Sequence, residues 1–221
     1  MNDGFPVLAL LAQIRAQLPE VADFVHFGAT TQDIMDTAAV LQCKAALNII
    51  GQSLSDLIAG LRQRCEQHRH TVMAGRTHTQ QALPITFGLK IATWLAPLLR
   101  HQERFSQLER RLLVVQFGGA VGTLAALGTQ GLEVQRQLAL ELNLLQPVLP
   151  WHTQRDAVAE LGGCLSLLTA SLGKMAQDIL LLAQSEIAEV RESEDSTRGG
   201  SSTMPQKSNP IRSELILAAA R

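Results

Sequence analysis

The stretch Leu161-Gly-Gly-Cys-Leu165-Ser-Leu-Leu168-Thr-Ala-Ser-Leu172-Gly-Lys-Met175-Ala-Gln-Asp-Ile179-Leu-Leu-Leu182 steps its apolar residues by three and four without a break. A helix is the structure that gathers such a series on one face. The same step recurs in Leu47, Ile50, Leu54, Leu57, Leu61 and Cys65, within a segment that runs from about Asp33 to His68. A third segment, Pro84 to about Leu113, adds Ile91, Leu95, Leu98, Phe105, Leu108 and Leu112. Each spans about 30 residues, or roughly 45 Å. Helices this long need partners along their whole length, which predicts an all-α fold built as a long-helix bundle. No strand-like alternation of useful length is apparent.

Boundary signals fit that reading. Pro84 suits a first helical position. Thr153-Gln154-Arg155-Asp156 has the spacing of a capping box, and Pro97 is expected to kink its helix. Pro147 and Pro150 separate a shorter helix, about Gln130 to Leu144, from the long one after Thr153. Asn209-Pro210 reads as cap and first position of a last helix. That helix stops at Arg221 and is short beside its neighbours, so the chain looks cut off within its architecture.

Composition narrows the function classes. The 221 residues are 46% apolar and 18% charged, with a formal net charge of −1. This balance offers no basic surface for nucleic acid. No unbroken apolar run reaches membrane-span length, and no positive charge precedes the apolar Pro6–Ala12, so neither a membrane nor a signal peptide is expected. Cys43, Cys65 and Cys164 are widely spaced within helical patterns and read as thiols of a cytoplasmic protein. Cys65-x-x-His68-x-His70 lacks a fourth metal ligand, and Gly118-Gly-Ala-Val-Gly122 lacks both dinucleotide spacing and a preceding strand. His101 and His152 are read as surface or structural residues.

Four polar, glycine-bearing stretches interrupt the helices: residues 26–33, 75–80, 116–123 and 199–210. Loops at the ends of helical rods are where binding chemistry collects. The last supplies Ser201 and Ser202 hydroxyls, the Lys207 charge and the Asn209 amide, beside amides able to form an anion-binding nest. Such a set suits a carboxylate or an enolate. A polar linker is the alternative.

Gly200-Ser-Ser-Thr-Met-Pro-Gln-Lys-Ser-Asn-Pro210 resembles the signature loop of the fumarase/aspartase superfamily, G-S-S-x-M-P-x-K-x-N-P, at every fixed position. His26-x-Gly-x-Thr30-Thr31-x-Asp33 and Gly75-Arg-Thr-His-Thr-Gln80 resemble the two earlier superfamily regions, in the right order. Within the superfamily, Leu112–Gly128 and Pro150-Trp-His-Thr-Gln-Arg-Asp156 look most like the bacterial 3-carboxy-cis,cis-muconate cycloisomerases. Adenylosuccinate lyase is the runner-up. It usually has Gly where Thr79 stands and often His where Gln206 stands, while His78 is a feature of the lyases. The resemblance implies that residues 1–25 are a remnant of an N-terminal domain. Residues 26–221 would be the central bundle, with the signature loop at 197–210 and the C-terminal domain absent.

It also implies chemistry without metal or organic cofactor, through a carbanion held as an aci-carboxylate. Ser201 matches the general base of elimination, with Ser202 as alternative, and would deliver a proton to carbon in lactonisation. Lys207 and Asn209 match the groups that hold the substrate carboxylate, and Thr30 and Thr31 the hydroxyl pair of the first region. Thr77 and His78 match the second region, His78 serving as general acid or as a binding group. His26 matches a substrate-contacting histidine. Gln80 and Arg76 are weaker substrate-binding candidates, Arg76 being alternatively a structural anchor. Asp33 is read mainly as a helix cap or orienting group. Expected partners are a di- or tricarboxylate substrate and three further copies of the chain, in a homotetramer whose active sites are shared between subunits. An inactive helical assembly fragment is the rival class. The signature loop, Thr197 to Ser208, is expected to be mobile without ligand.

Overall fold

A computed structural model describes residues 5–193, 203–204 and 207–221. Ser201, Ser202, Gln206 and most of the expected mobile span therefore lie outside the described residues. The elements in chain order are α1 (Val7–Gln17), α2 (Thr31–Gln67), β1 (Val72–Thr77), β2 (Gln80–Thr86), α3 (Phe87–Leu112), α4 (Gly131–Glu141), α5 (Asp156–Leu182) and α6 (Ile211–Ala219), with short 3-10 turns at Pro19–Val21 and Ala125–Gln130. Thus α2, α3 and α5 are the three long helices that the 3-4 periodicity predicts. Helix α2 alone has 37 residues, or about 55 Å.

The chain divides into two compact units. The first comprises Met1–Ile50 and Phe105–Leu161, the second Gly51–Arg104 and Gly162–Arg221. In the first, Val40, Val115, Phe117, Leu124, Ala139 and Leu144 form a buried cluster against which Trp151 packs. Its backbone is tied by a parallel bridge between Val114 and Leu145. Helix α4 ends earlier than the periodicity suggests, at Glu141, because Asn143 adopts φ 50°. The Leu144 N–H then reaches the Ala139 carbonyl at 2.8 Å and the Asn143 N–H that of Leu140 at 3.0 Å, the double closure of a Schellman motif.

In the second unit, Ile91, Trp94 and Leu182 form a buried cluster, with Leu61, Cys65, Met73, Phe87 and Met175 around it. Here an antiparallel hairpin, β1–β2, stands where no strand is expected from the sequence. Pro84 lies within β2, and α3 opens three residues later at Phe87. Thr86 caps it, its Oγ1 accepting the Leu89 N–H at 3.1 Å. The hairpin base sits close against the end of α2: a Cβ on Gly88 would lie 2.8 Å from the Cys65 carbonyl oxygen and from the Arg69 Cα. Cys65 and His68 are taken up there, Cys65 Sγ donating to the Gly88 carbonyl and His68 Nδ1 meeting Thr71 Oγ1.

Two further boundaries shift. Helix α5 begins at Asp156, which makes Arg155 the cap position and leaves Thr153 two residues too early for it. Helix α6 begins at Ile211 with Pro210 in the cap position, one residue later than the Asn-Pro reading places it. The α6 N-terminus is instead capped from a distance. Glu192 accepts the N–H groups of Arg212 (3.2 Å) and Ser213 (2.8 Å) and the Ser213 hydroxyl (2.6 Å). Burial pushes its carboxyl up, but these hydrogen bonds outweigh burial and leave it below the ordinary carboxylate range.

One 18-residue window of α5 averages a hydropathy of 1.3, which is long and apolar enough to cross a membrane by length and composition. Its polar residues are nevertheless engaged inside the second unit. Asp178 accepts from Trp94 Nε1 at 2.6 Å and pairs with Lys90 at 3.0 Å, and Ser171 meets His101 Nε2 at 2.8 Å.

Candidate functional site

The first polar stretch folds around Asp33, which is 1% exposed. As the third residue of α2 it accepts the Thr30 N–H at 3.0 Å, the reciprocal half of a capping box. It does much more. Its oxygens also accept the backbone N–H groups of Gly118 (3.0 Å) and Gly119 (2.9 Å), the Gln116 side-chain amide (3.3 Å) and His152 Nε2 (2.6 Å). Thr37 Oγ1 donates to the Gln116 carbonyl and accepts its N–H. The glycine-bearing stretch 116–123 is therefore bound to the start of α2 through one carboxylate. Gly119 sits at φ 72°, and a Cβ there would lie 2.8 Å from the Gly28 carbonyl oxygen, so the close approach requires glycine.

Thr30 lines a cavity of about 460 Å³ with Gln32, Gly122, Pro150, His152 and Gln154. Thr31 is the first helical residue beside it. His26 faces a different cavity of the same unit, about 380 Å³, with Phe24, Phe27, Ile34 and Phe117. Its Nδ1 is buried and finds no hydrogen-bond partner among the described residues. Burial, assisted by the Arg15 charge, holds the His26 ring below its ordinary value, with Asp33 opposing. His26 is thereby suited to act as a neutral imidazole.

The second stretch forms the tip of the hairpin. Thr77 pairs with Gln80 across a two-residue turn. Both turn residues, His78 (φ 50°) and Thr79 (φ 64°), are left-handed. Two positive φ values are those of a type I′ turn, which normally carries Asn-Gly. A β-branched residue in that conformation is strained, and such strain clusters at functional sites. Thr77, His78 and Gln80 are all exposed at this tip. Arg76 is not free to join them: its guanidinium grips Glu189 in a two-pronged pair at 2.6 and 2.9 Å, the anchoring role. The Arg76 hydrogen bonds hold the Glu189 carboxyl below its usual range.

Of the fourth stretch, Lys207 and Asn209 line a cavity of about 400 Å³ together with Ser185, Arg191, Glu192 and Pro210. The Asn209 carbonyl accepts the Ile211 N–H at 2.9 Å. Within a unit the structure thus brings together Thr30 and Thr31, the trio Thr77, His78 and Gln80, and the pair Lys207 and Asn209. Sequence reasoning gives no sign that His152 belongs beside Thr30. The one available signal is Asp33, whose cap position marks it as structurally committed.

Comparison with known proteins bears on the family. A family model described as "Lyase" matches residues 6–221. A 3-carboxy-cis,cis-muconate cycloisomerase of Pseudomonas aeruginosa is 49% identical over 99% of this chain and 48% of its own length. Trans-aconitate decarboxylase 1 of Mycosarcoma maydis is 46% identical over 98% of this chain and 44% of its own. The crystal structure of the 3-carboxy-cis,cis-muconate lactonizing enzyme from Pseudomonas putida superposes with a TM-score of 0.89 at 45% identity, covering 97% of this chain and 47% of that one. The chain spans about half the length of the curated relatives it matches. With the family model matched from residue 6 to the last residue, and relatives of this identity along almost the whole chain, the protein belongs to the lyase family of the fumarase/aspartase superfamily and resembles its 3-carboxy-cis,cis-muconate cycloisomerases.

Proposed function

We propose that the chain belongs to a cofactor-independent cycloisomerase that converts 3-carboxy-cis,cis-muconate to 4-carboxymuconolactone, a step of protocatechuate (β-ketoadipate) breakdown. The observation that carries this reading is the complete signature Gly200–Pro210 in a chain so similar to cycloisomerases. Two of the relatives described above are named for unsaturated tricarboxylates, which supports that substrate class.

One carboxylate of the substrate adds to its own double bond. The ring C–O bond forms as the π pair moves to the carbon beside another carboxylate, giving the aci-carboxylate. A proton from Ser201, or alternatively Ser202, ends on that carbon, and solvent restores it to the hydroxyl. Lys207 and Asn209 hold the carboxylate whose charge grows, a role whose loss typically costs about 10²- to 10³-fold in rate. Thr30, Thr31, Thr77, Gln80 and His26 bind the remaining carboxylates. A carboxylate nucleophile needs no general acid for departure, so His78 binds substrate here. Arg76 acts through the hairpin it anchors, in keeping with its pair to Glu189.

The enzyme works in the cytoplasm as a homotetramer with sites shared between subunits. Assembly into an oligomer is supported by apolar side chains left exposed on the long helices, among them Ile49 (70%), Leu89 (54%) and Leu167 (50%). The test is a spectrophotometric assay for loss of 3-carboxy-cis,cis-muconate, with adenylosuccinate in parallel. Turnover of the muconate, lowered at least 100-fold in Ser201→Ala, is the expected result. Turnover of adenylosuccinate alone overturns it and gives His78 the acid role in a fumarate-releasing lyase.

A further inference from the structure

We propose that His152, held by Asp33, contacts substrate, donating its Nδ1–H to a carboxylate of the tricarboxylate in the cavity that Thr30 lines. The inference rests on the tricarboxylate reading above and adds a residue to it.

The argument begins with Asp33. Four N–H donors already converge on its two oxygens, from Thr30, Gly118, Gly119 and the Gln116 amide. A group surrounded in this way acts only as an acceptor, so the fifth contact, His152 Nε2 at 2.6 Å, is an N–H donor. That fixes the proton on Nε2 and leaves Nδ1 as the ring nitrogen available to a ligand, which donates to a carboxylate once binding draws a second proton onto the ring from solvent. The rest of His152 is fixed as well. Its carbonyl accepts from Gln32 Nε2 and from Arg155 Nη2, each at 2.8 Å. Its ring lies on Gly118, where an added Cβ would come within 3.0 Å of Cε1. Backbone, ring face and one ring nitrogen are therefore all committed, and the side chain is still 17% exposed.

Such fixation from three sides is what a preorganised binding group requires. The opening onto which it is fixed is the cavity of about 460 Å³ that also presents Thr30, Thr153 and Gln154. A ring that carries a second proton in the complex sits between two carboxylates, the buried Asp33 and that of the ligand. A charge-assisted hydrogen bond of this kind is among the stronger ones a site can make.

Imidazole ¹⁵N NMR of the protein labelled at its six histidines tests this directly, with trans-aconitate as a stable unsaturated tricarboxylate probe. His152→Gln assigns the signal and also serves as the functional variant. Its amide still donates to Asp33, but the Nδ1 position is lost. On binding, His152 Nδ1 is expected to move to the protonated, hydrogen-bonded range while Nε2 stays. The Kd of trans-aconitate rises about 10- to 100-fold in His152→Gln. For the muconate, KM rises by a similar factor with little change in kcat. Binding of trans-aconitate that neither moves the His152 signal nor weakens in the variant overturns the inference and leaves the cycloisomerase standing. Binding through His152 without muconate turnover overturns the reaction and leaves the site. No tricarboxylate binding overturns both. If His152→Gln fails to fold, the titration of the unaltered protein decides.

Discussion

The start of α2 and the tip of the β1–β2 hairpin carry two of the three superfamily regions, and they are built in opposite ways. Around Asp33 every oxygen is occupied and the carboxylate is buried, so the local structure is held by long-range hydrogen bonds. At the hairpin tip, His78 and Thr79 are exposed and left-handed, and the nearest strong restraint is the Arg76–Glu189 pair. One region is rigid because removing any part leaves buried donors without acceptors. The other stores conformational strain where its side chains meet solvent.

The largest expected effect breaks the rigid side. Asp33→Ala leaves the Gly118, Gly119 and Gln116 donors buried without partners, and should cost about 3 kcal/mol or more. Urea denaturation measures it, and a loss under 1 kcal/mol would remove the contrast. Gly118→Ala comes next. Its Cβ would fall 2.7 Å from the Pro150 ring and 3.0 Å from His152. Overpacking of that kind costs about 1–3 kcal/mol, read as a lower Tm.

On the hairpin side the effects are smaller. Because Arg76 holds the Glu189 carboxyl below its unfolded-state value, the pair stabilises fully above the ordinary carboxylate range. That contribution disappears as pH falls through the lowered value. Glu189→Gln should cost roughly 1 kcal/mol near neutrality and flatten the acid limb of a stability–pH curve. Thr79→Gly should have the opposite sign and stabilise by up to about 1 kcal/mol, since glycine adopts φ 64° without strain. A stabilised variant that has lost activity would tie the strain to function; unchanged activity would make the strain incidental.

The long helices were legible because periodicity is a local property. The bounds of α2, α3 and α5 lie close to those that the apolar steps imply. The hairpin was not legible, for physical reasons visible in its residues. Val72-Met-Ala-Gly-Arg-Thr77 lacks strict alternation, a bulge interrupts the pairing between Ala74 and Arg76, and the turn is His-Thr rather than Asn-Gly. Pro84, which reads as a helix start, occupies β2 instead. At the site, motif spacing identifies Thr30, Thr31, Thr77 and His78 as candidates, but the environment of Asp33 is beyond its reach. Gln116, Gly118 and His152 stand 83, 85 and 119 positions away, and nothing in their local sequence marks them as its partners.

The distant cap of α6 has a consequence for the segment that precedes it. Glu192 fastens the chain to residues 20 and 21 positions further on. Between these points runs the signature segment, with Ser201 and Lys207. Bringing the ends of a loop of that length together costs about 2–3 kcal/mol of chain entropy. Because the Glu192 contacts form when the protein folds, that cost is met before any substrate arrives. A Glu192→Ala variant, which unfastens these two points, is therefore expected to weaken substrate affinity although Glu192 is not among the proposed substrate-binding groups.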